Sequence, residues 1–218
     1  MDATVDSDGM FHALGARVLG AKPRASAPAA ARAHRPLDCL WRDTTTGARV
    51  FVGDVTAARC RRTLDGLGIT HVVNCQGLDS TNFFEADGRF SYLRFPIAHR
   101  VARREPAPDD GKGLVRLFAP LFQFVDSALA RGASVLVHCL AGAHRAGASG
   151  VALLMHLDPR LSAARATRLA RARRPAIEPI LFLRTLLDAL EREIRAPREQ
   201  RRALQRARAA LLLSLIHI

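Results

Sequence analysis

A cysteine and an arginine separated by five residues stand in the segment His138-Cys-Leu-Ala-Gly-Ala-His-Arg145. An apolar run, Ser134–Val137, precedes the segment, and a helical pattern begins near Arg145. A loop of this length between a strand and a helix can curl so that successive backbone N–H groups converge on one point, while the helix adds its positive end. The spacing therefore predicts a cradle for a phosphate group.

Each residue type in the segment suits one task in phosphate chemistry. The Arg145 guanidinium can bind two phosphate oxygens at once, and the positive surroundings favour the thiolate form of Cys139, which makes it a nucleophile. We expect His138 to orient the loop and tune the thiolate through hydrogen bonds to the backbone, and Gly142 to supply freedom in φ. The alternative for Cys139 is a buried structural thiol at a strand end. The predicted phosphate-binding residues are Leu140, Ala141, Gly142, Ala143, His144 and Arg145.

Strands and helices alternate from residue 48 onwards, a pattern that favours a parallel sheet covered by helices on both faces. Short apolar runs predict strands at 50–53, 70–74, 92–97 and 134–137. Helical spacing of apolar residues predicts helices at 56–67, at 113–130 with a kink at Pro120, from 145 onwards, at 161–173 and at 177–194. The sequence thus predicts an α/β fold.

The segment Val137–Arg145 resembles the signature loop of the dual-specificity protein phosphatases, which belong to the cysteine-based phosphatases. The resemblance covers about residues 46–194 and implies a central five-stranded, mostly parallel twisted sheet flanked by helices. It also implies a shallow pocket for phosphotyrosine and phosphoserine or phosphothreonine, hydrolysed through a phosphocysteine on Cys139 without a metal or another cofactor. The further matching segments are Val50-Phe-Val-Gly-Asp54, Gly68-Ile-Thr-His-Val-Val-Asn74, Tyr92–Ile97, Phe118–Ala130 and Arg174-Pro-Ala-Ile-Glu-Pro179.

The leaving oxygen of a phosphoester must be protonated, and the resemblance implies an Asp about thirty residues before the nucleophile as the general acid. Asp109 and Asp110 lie 30 and 29 residues before Cys139 in a polar loop, and Asp110 is the preferred candidate. His99 follows the Phe95-Pro-Ile97 segment, where relatives often carry the acid. It is an alternative donor, or a surface histidine with no role.

Two further positions bear on the chemistry. Relatives usually carry Ser or Thr directly after the loop arginine, but this chain has Ala146, and Ser149 is one helical turn farther along. We therefore expect slow turnover with accumulated phosphocysteine, and a phosphate-binding pseudophosphatase is the alternative. On the family's sheet order, Cys75 lies beside the catalytic strand and could form a disulfide with Cys139. Its alternative is a buried thiol that packs as a small hydrophobe.

The charge of the chain is strongly basic, with 33 Lys and Arg against 20 Asp and Glu and a net charge of +13. Such a balance suggests a polyanionic partner. However, only Lys22 and Lys112 are lysines, and the bias towards Arg and Ala is typical of GC-rich coding sequence. We predict a phosphorylated protein as the partner, with no specific nucleic acid and no membrane; an RNA 5′ end or a lipid is the alternative substrate. No oligomeric state is predicted.

The chain divides into three parts. Residues 1–37 form an Ala- and Arg-rich leader expected to be disordered, 38–196 form the catalytic domain, and 197–218 form a basic helix or tail. The apolar end of that tail is assigned no role, with a read-through artefact as the alternative. No Cys-x-x-Cys pair, signal peptide or apolar run of ~18 residues is found, so a zinc site and a membrane span are not expected. Cytoplasmic localisation is expected, with the nucleus or an organelle as alternatives. The organelle is an alternative because Met10–Pro36 contains no Asp or Glu, as in a transit peptide.

Overall fold

The structure, a computed structural model, describes residues 35–102 and 113–196. Strands and helices alternate along most of this range, as the sequence predicts. The strands are β1 Leu37–Arg42, β2 Arg49–Gly53, β3 Ile69–Asn74, β4 Ser91–Arg94 and β5 Ser134–His138. The helices are α1 Val55–Ala58, α2 Arg61–Gly66, α3 Ile97–Ala102, α4 Gly113–Ala130, α5 Arg145–Leu157, α6 Ala163–Arg173 and α7 at 181–196.

The five strands form one twisted sheet in the order β1-β2-β5-β3-β4. β1 pairs antiparallel with β2, and the other three pairings are parallel. The predicted α/β fold with a mostly parallel five-stranded sheet flanked by helices is therefore confirmed. β5 is the central strand and is buried along its whole length, which explains its continuous apolar sequence.

Alternate residues of the strands point to opposite faces of the sheet and pack in two separate apolar cores, one on each face. Val135 and Val137 of β5 belong to the larger core with α4 and α5, whereas Leu136 points to the smaller core. β2 divides in the same way, with Val52 in the larger core and Phe51 in the smaller. Burial on both faces fixes the register of these strands, because a slip of one residue would exchange the two sets.

Helix α4 has the predicted bounds and continues through Pro120. It is long and apolar enough to cross a membrane by length and composition alone, so the expectation that no segment reaches this length was wrong for residues 113–130. One face of α4 nevertheless packs in the larger core, through Phe118, Leu121, Phe122, Val125, Ala128 and Leu129. An amphipathic helix that covers a sheet accounts for this pattern.

Four elements differ from the sequence prediction. β1 was not predicted individually, and the predicted helix at 56–67 is two short helices, because Cys60 adopts an extended backbone between them. The third predicted strand ends at Arg94 rather than at residue 97, and α3 begins three residues later. Pro96 explains the early end, since proline has no N–H to donate to a strand ladder. The last helix starts at residue 181 rather than 177.

Candidate active site

The candidate site lies where three parallel strands end at the same edge of the sheet. In the strand register, His138 at the end of β5 is paired with Gly53 of β2 and with Asn74 of β3. Ligand sites of open α/β sheets form at this carboxyl edge. The chain therefore brings three side chains to one place directly after the strands, those of Asp54, Cys75 and Cys139.

The loop after β5 is fixed at both of its ends by main-chain hydrogen bonds from other elements. The Leu140 carbonyl accepts from the amide of Val55, the first residue of α1, at 3.1 Å. At the other end, the Ala143 carbonyl accepts from the amide of Glu178 at 3.1 Å. The side chain of Asp54 accepts from the Ala57 amide and so caps α1, which sets the position of the Val55 donor.

A buried guanidinium holds the middle of the loop. The Nη2 group of Arg174 donates to the Ala141 carbonyl at 3.2 Å, and its Nε donates to the Gly142 carbonyl at 3.1 Å. Sequence analysis missed this role, because Arg174 stands at the end of the Arg-rich helix α6 and gives no local signal that it turns inward. Only the resemblance of the segment that it opens, Arg174–Pro179, pointed to the position.

These contacts decide where the loop amides point. In a planar trans peptide the C=O and the following N–H point in opposite directions. Four consecutive carbonyls, those of residues 140–143, are held from outside the loop, so the amides of residues 141–144 turn to the opposite side. Across residues 35–102 and 113–196, no main-chain carbonyl accepts a hydrogen bond from these four amides. A row of loop N–H groups turned away from these anchors is suited to an anion.

Gly142 is required by the backbone and by its surroundings. Its φ is +64°, in the left-handed region that favours glycine. A Cβ at this position would lie 2.5 Å from the Gly53 carbonyl oxygen and 2.8 Å from Nη2 of Arg174. The predicted need for glycine is therefore explained by both conformation and space.

The structure brings the predicted nucleophile and the predicted guanidinium to the two ends of this loop. Cys139 and Arg145 are each only 3% exposed. Arg145 is the first residue of α5, whose 13 residues direct the positive end of the helix dipole towards the loop. His144, the last loop residue, is held by a short contact between its Nδ1 and the carbonyl oxygen of Glu178.

His138 is fully buried, and neither of its ring nitrogens has a hydrogen-bond partner of ordinary geometry within the described residues. The ring lies against the main chain of Cys139, and its expected role in orienting the loop stays a prediction. Burial lowers the pKa of His138 to about 4; the nearby main chain of Cys139 opposes the shift, and the charge of Arg145 adds to it. With so low a pKa the ring is neutral near pH 7 and a weak proton acceptor.

Cys75 lies beside the loop, and its amide donates to the His138 carbonyl at 2.8 Å. Its thiol is completely buried and donates to Oγ of Ser149 at 3.4 Å. Burial raises the pKa of Cys75 to about 12, and a contribution from Cys139 in the same direction reflects their proximity. The Ser149 hydroxyl is thus engaged with Cys75, and Ala146 is fully buried on the same helix. A disulfide between Cys75 and Cys139 stays a prediction.

Of the three candidates for the general acid, the structure describes only His99. Asp109 and Asp110 lie outside the described residues, so their placement stays a prediction. His99 lies on α3, a helix that follows β4 at the carboxyl edge of the sheet, and is half-buried. Within the described residues, no group of three or more His, Cys, Asp or Glu side chains could hold a metal ion.

Comparison with known proteins agrees with this geometry. Residues 50–192 match the family model described as "Dual specificity phosphatase, catalytic domain". The chain belongs to the dual specificity phosphatase family. This membership accounts for the loop, the central strand before it and the helix after it as parts of one phosphatase domain.

Two curated dual specificity phosphatases are similar over much of the chain. Human dual specificity protein phosphatase 9 is 31% identical over 195 residues, which cover 89% of this chain and 45% of the relative. Drosophila melanogaster dual specificity protein phosphatase Mpk3 is 30% identical over 146 residues, covering 67% of this chain and 33% of the relative. The chain therefore spans less than half of the length of these curated relatives.

Solved phosphatase structures share the fold. The crystal structure of human DUSP28 has a TM-score of 0.52 and 24% identity, covering 74% of this chain and 97% of that one. A mouse putative dual specificity phosphatase complexed with zinc tungstate has a TM-score of 0.57 and 24% identity, covering 81% and 96%. These likenesses show a shared α/β architecture for this dual specificity phosphatase domain.

Proposed function

We propose that this chain is an active phosphoprotein phosphatase that hydrolyses phosphotyrosine and phosphoserine or phosphothreonine through a phosphocysteine on Cys139. The observation that carries the proposal is the outward anchoring of four successive loop carbonyls, which turns the loop amides to the opposite side, where they can bind an anion. Cys139 starts this loop, and Arg145 follows it as the first residue of α5. Amides and a guanidinium together match the three oxygens of a phosphoryl group.

In the first step, Sγ of Cys139 attacks phosphorus as a thiolate. An S–P bond forms, the ester P–O bond breaks, and the leaving oxygen takes a proton from Asp110, with Asp109 or His99 as the alternatives. In the second step, water attacks the phosphocysteine and gives a proton back to the same acid. Phosphate leaves, and the thiolate of Cys139 is restored.

The loop donors stabilise both steps because charge on the phosphoryl oxygens changes while the donors stay in place. The burial of Cys139 and Arg145 strengthens this effect, since charges interact more strongly where water is excluded. His138 contributes as a neutral ring behind the loop, with its pKa lowered to about 4 by burial.

Hydrolysis of an aryl phosphate and of phosphopeptides tests the proposal. Wild type should release phosphate from phosphotyrosine and phosphothreonine peptides, and Cys139→Ser should abolish release while retaining phosphate binding. Asp110→Asn should lower the rate by roughly 10²- to 10⁴-fold if Asp110 is the acid, and Asp109→Asn is the matched control. Acid quenching of wild type during turnover should trap the phosphocysteine. A wild-type protein that binds phosphopeptides without hydrolysing them would refute the enzyme proposal.

A second function, a phosphate-binding pseudophosphatase, is favoured by one observation. Ala146 occupies the position where relatives carry a hydroxyl that assists the departure of the thiolate, and Ser149 is engaged with Cys75. In that case the loop would bind a phosphorylated protein and release it unchanged. A phosphopeptide panel with phosphoinositide and 5′-phosphorylated RNA arms separates the protein substrate from the alternative substrates.

A further inference from the structure

Arg174 is among the largest fully buried side chains of the described residues, although arginine is rarely buried without partners. It is only 2% exposed, and every part of its guanidinium is engaged. The Nη1 group donates to the Arg35 carbonyl at 2.9 Å and to Oδ2 of Asp38 at 3.1 Å. The remaining donors, Nε and Nη2, both donate to carbonyls of the loop at residues 139–144, here called the phosphate loop.

We propose that Arg174 is a positioning residue that holds the phosphate loop in its anion-binding conformation before any phosphate group arrives. Its bond to the Ala141 carbonyl fixes the Gly142 amide on the opposite side, and its bond to the Gly142 carbonyl fixes the Ala143 amide. Arg174 therefore orients two consecutive donors of the cradle without touching the phosphate. The proposal deepens the function proposed above and rests on its assignment of the loop as the phosphate site.

The shape of the guanidinium explains why arginine suits this position. Two adjacent carbonyls are reached by two donors of one rigid planar group, which lysine cannot reproduce with a single flexible ammonium. The close approach of Nη2 to the space beside Gly142 leaves no room for a side chain there. The Arg174 guanidinium therefore packs directly against Gly142 while it binds the two loop carbonyls.

Asp38 holds the guanidinium from the other side. It lies at the start of β1, and its carboxylate is almost buried beside Arg174. The ion pair compensates the buried positive charge and links the phosphate loop to the edge strand of the sheet. Replacing Asp38 alone removes this ion pair but leaves both bonds from Arg174 to the loop.

Vanadate, an inorganic phosphate mimic, is the probe for the test. The variants are Arg174→Met and Arg174→Lys, with Arg173→Met as the matched control, because Arg173 is the neighbouring exposed arginine and its removal changes the net charge equally. Asp38→Asn is the second control. For each protein we would measure the vanadate dissociation constant, the melting temperature and the pH dependence of Cys139 alkylation.

Arg174→Met should weaken vanadate binding by roughly ten- to a hundredfold and shift Cys139 alkylation to higher pH, because two charge-assisted hydrogen bonds are lost. Arg174→Lys should stay at least about fivefold weaker than wild type, since it keeps the charge but not the fork. Arg173→Met should bind vanadate like wild type. Asp38→Asn should lower the melting temperature while vanadate affinity changes less than in Arg174→Met.

The proposal is overturned if folded Arg174→Met or Arg174→Lys binds vanadate as tightly as wild type with an unchanged alkylation profile. It is also overturned if Asp38→Asn loses as much affinity as Arg174→Met, since the arginine would then act only through general stability. Should Arg174→Met not fold, Arg174→Lys takes its place in both comparisons. Failure of the proposed function would differ, because wild type would bind vanadate but leave phosphopeptides intact.

Discussion

Gly142→Ala tests the geometry of the phosphate loop most directly. The φ of +64° costs an L-residue about 1–2 kcal/mol. The new Cβ would also lie 2.5 Å from the backbone oxygen of Gly53, whereas ordinary van der Waals contact begins at 3.4 Å, so the loop must move by about 0.9 Å. Because Gly53 ends β2, which is paired with a strand on each side, the loop rather than the sheet is expected to move.

A displacement of this size should be visible in both function and stability. Misplacement of about 1 Å can lower a catalysed rate by about 10²-fold, so we expect kcat/KM for an aryl phosphate to fall at least that far. The backbone strain alone should lower the melting temperature by roughly 2–8 °C in a chain of this size. Vanadate inhibition should weaken in parallel with kcat/KM.

Gly68→Ala is the matched control. Gly68 has a φ of +65°, nearly that of Gly142, but a Cβ there meets nothing within 4 Å in the described part of the chain. It should therefore lose a similar few degrees of melting temperature and keep wild-type kinetics. The reasoning is refuted if Gly142→Ala retains wild-type kcat/KM and vanadate affinity while Gly68→Ala shows the same loss of stability.

Three further outcomes are expected. Ala146→Ser should restore a hydroxyl at the start of α5 and speed hydrolysis of the phosphocysteine by about ten- to a hundredfold, seen as a smaller burst and a faster steady state; an unchanged steady state would count against it. Because the folded-state pKa of His138, about 4, lies below its ordinary value of 6.5, unfolding takes up a proton between these values. Stability should therefore fall as pH drops from about 6.5 to about 4, by up to about 3 kcal/mol, and denaturant unfolding of His138→Gln should lack this contribution. With hydrogen peroxide, the sulfenic acid of Cys139 should condense with the Cys75 thiol, releasing water; mass spectrometry should show a disulfide in wild type and irreversible oxidation in Cys75→Ala, and equal recovery of both proteins would refute it.

The elements with a strong local signal were predicted well from the sequence. The central strand β5 and helix α4 follow from an uninterrupted apolar run and from helical spacing, because burial on two faces or on one stripe leaves a direct trace in residue order. Helix α3 and the break at Cys60 left no such trace. Most residues of strand β1 are only partly buried, so its pattern of apolar residues was too weak to distinguish it from the Ala- and Arg-rich leader.

The sequence by itself determined the candidate nucleophile, the candidate phosphate-binding guanidinium and the loop between them, because Cys139 and Arg145 are linked by a short segment whose length sets what it can enclose. The tertiary structure alone decided how that loop is held. Its carbonyls are bound by Val55, Glu178 and Arg174, which come from distant parts of the chain. Hydrogen bonds between residues far apart in sequence have no spacing rule, so only the packing of α1 and of the segment between α6 and α7 against the loop could reveal them.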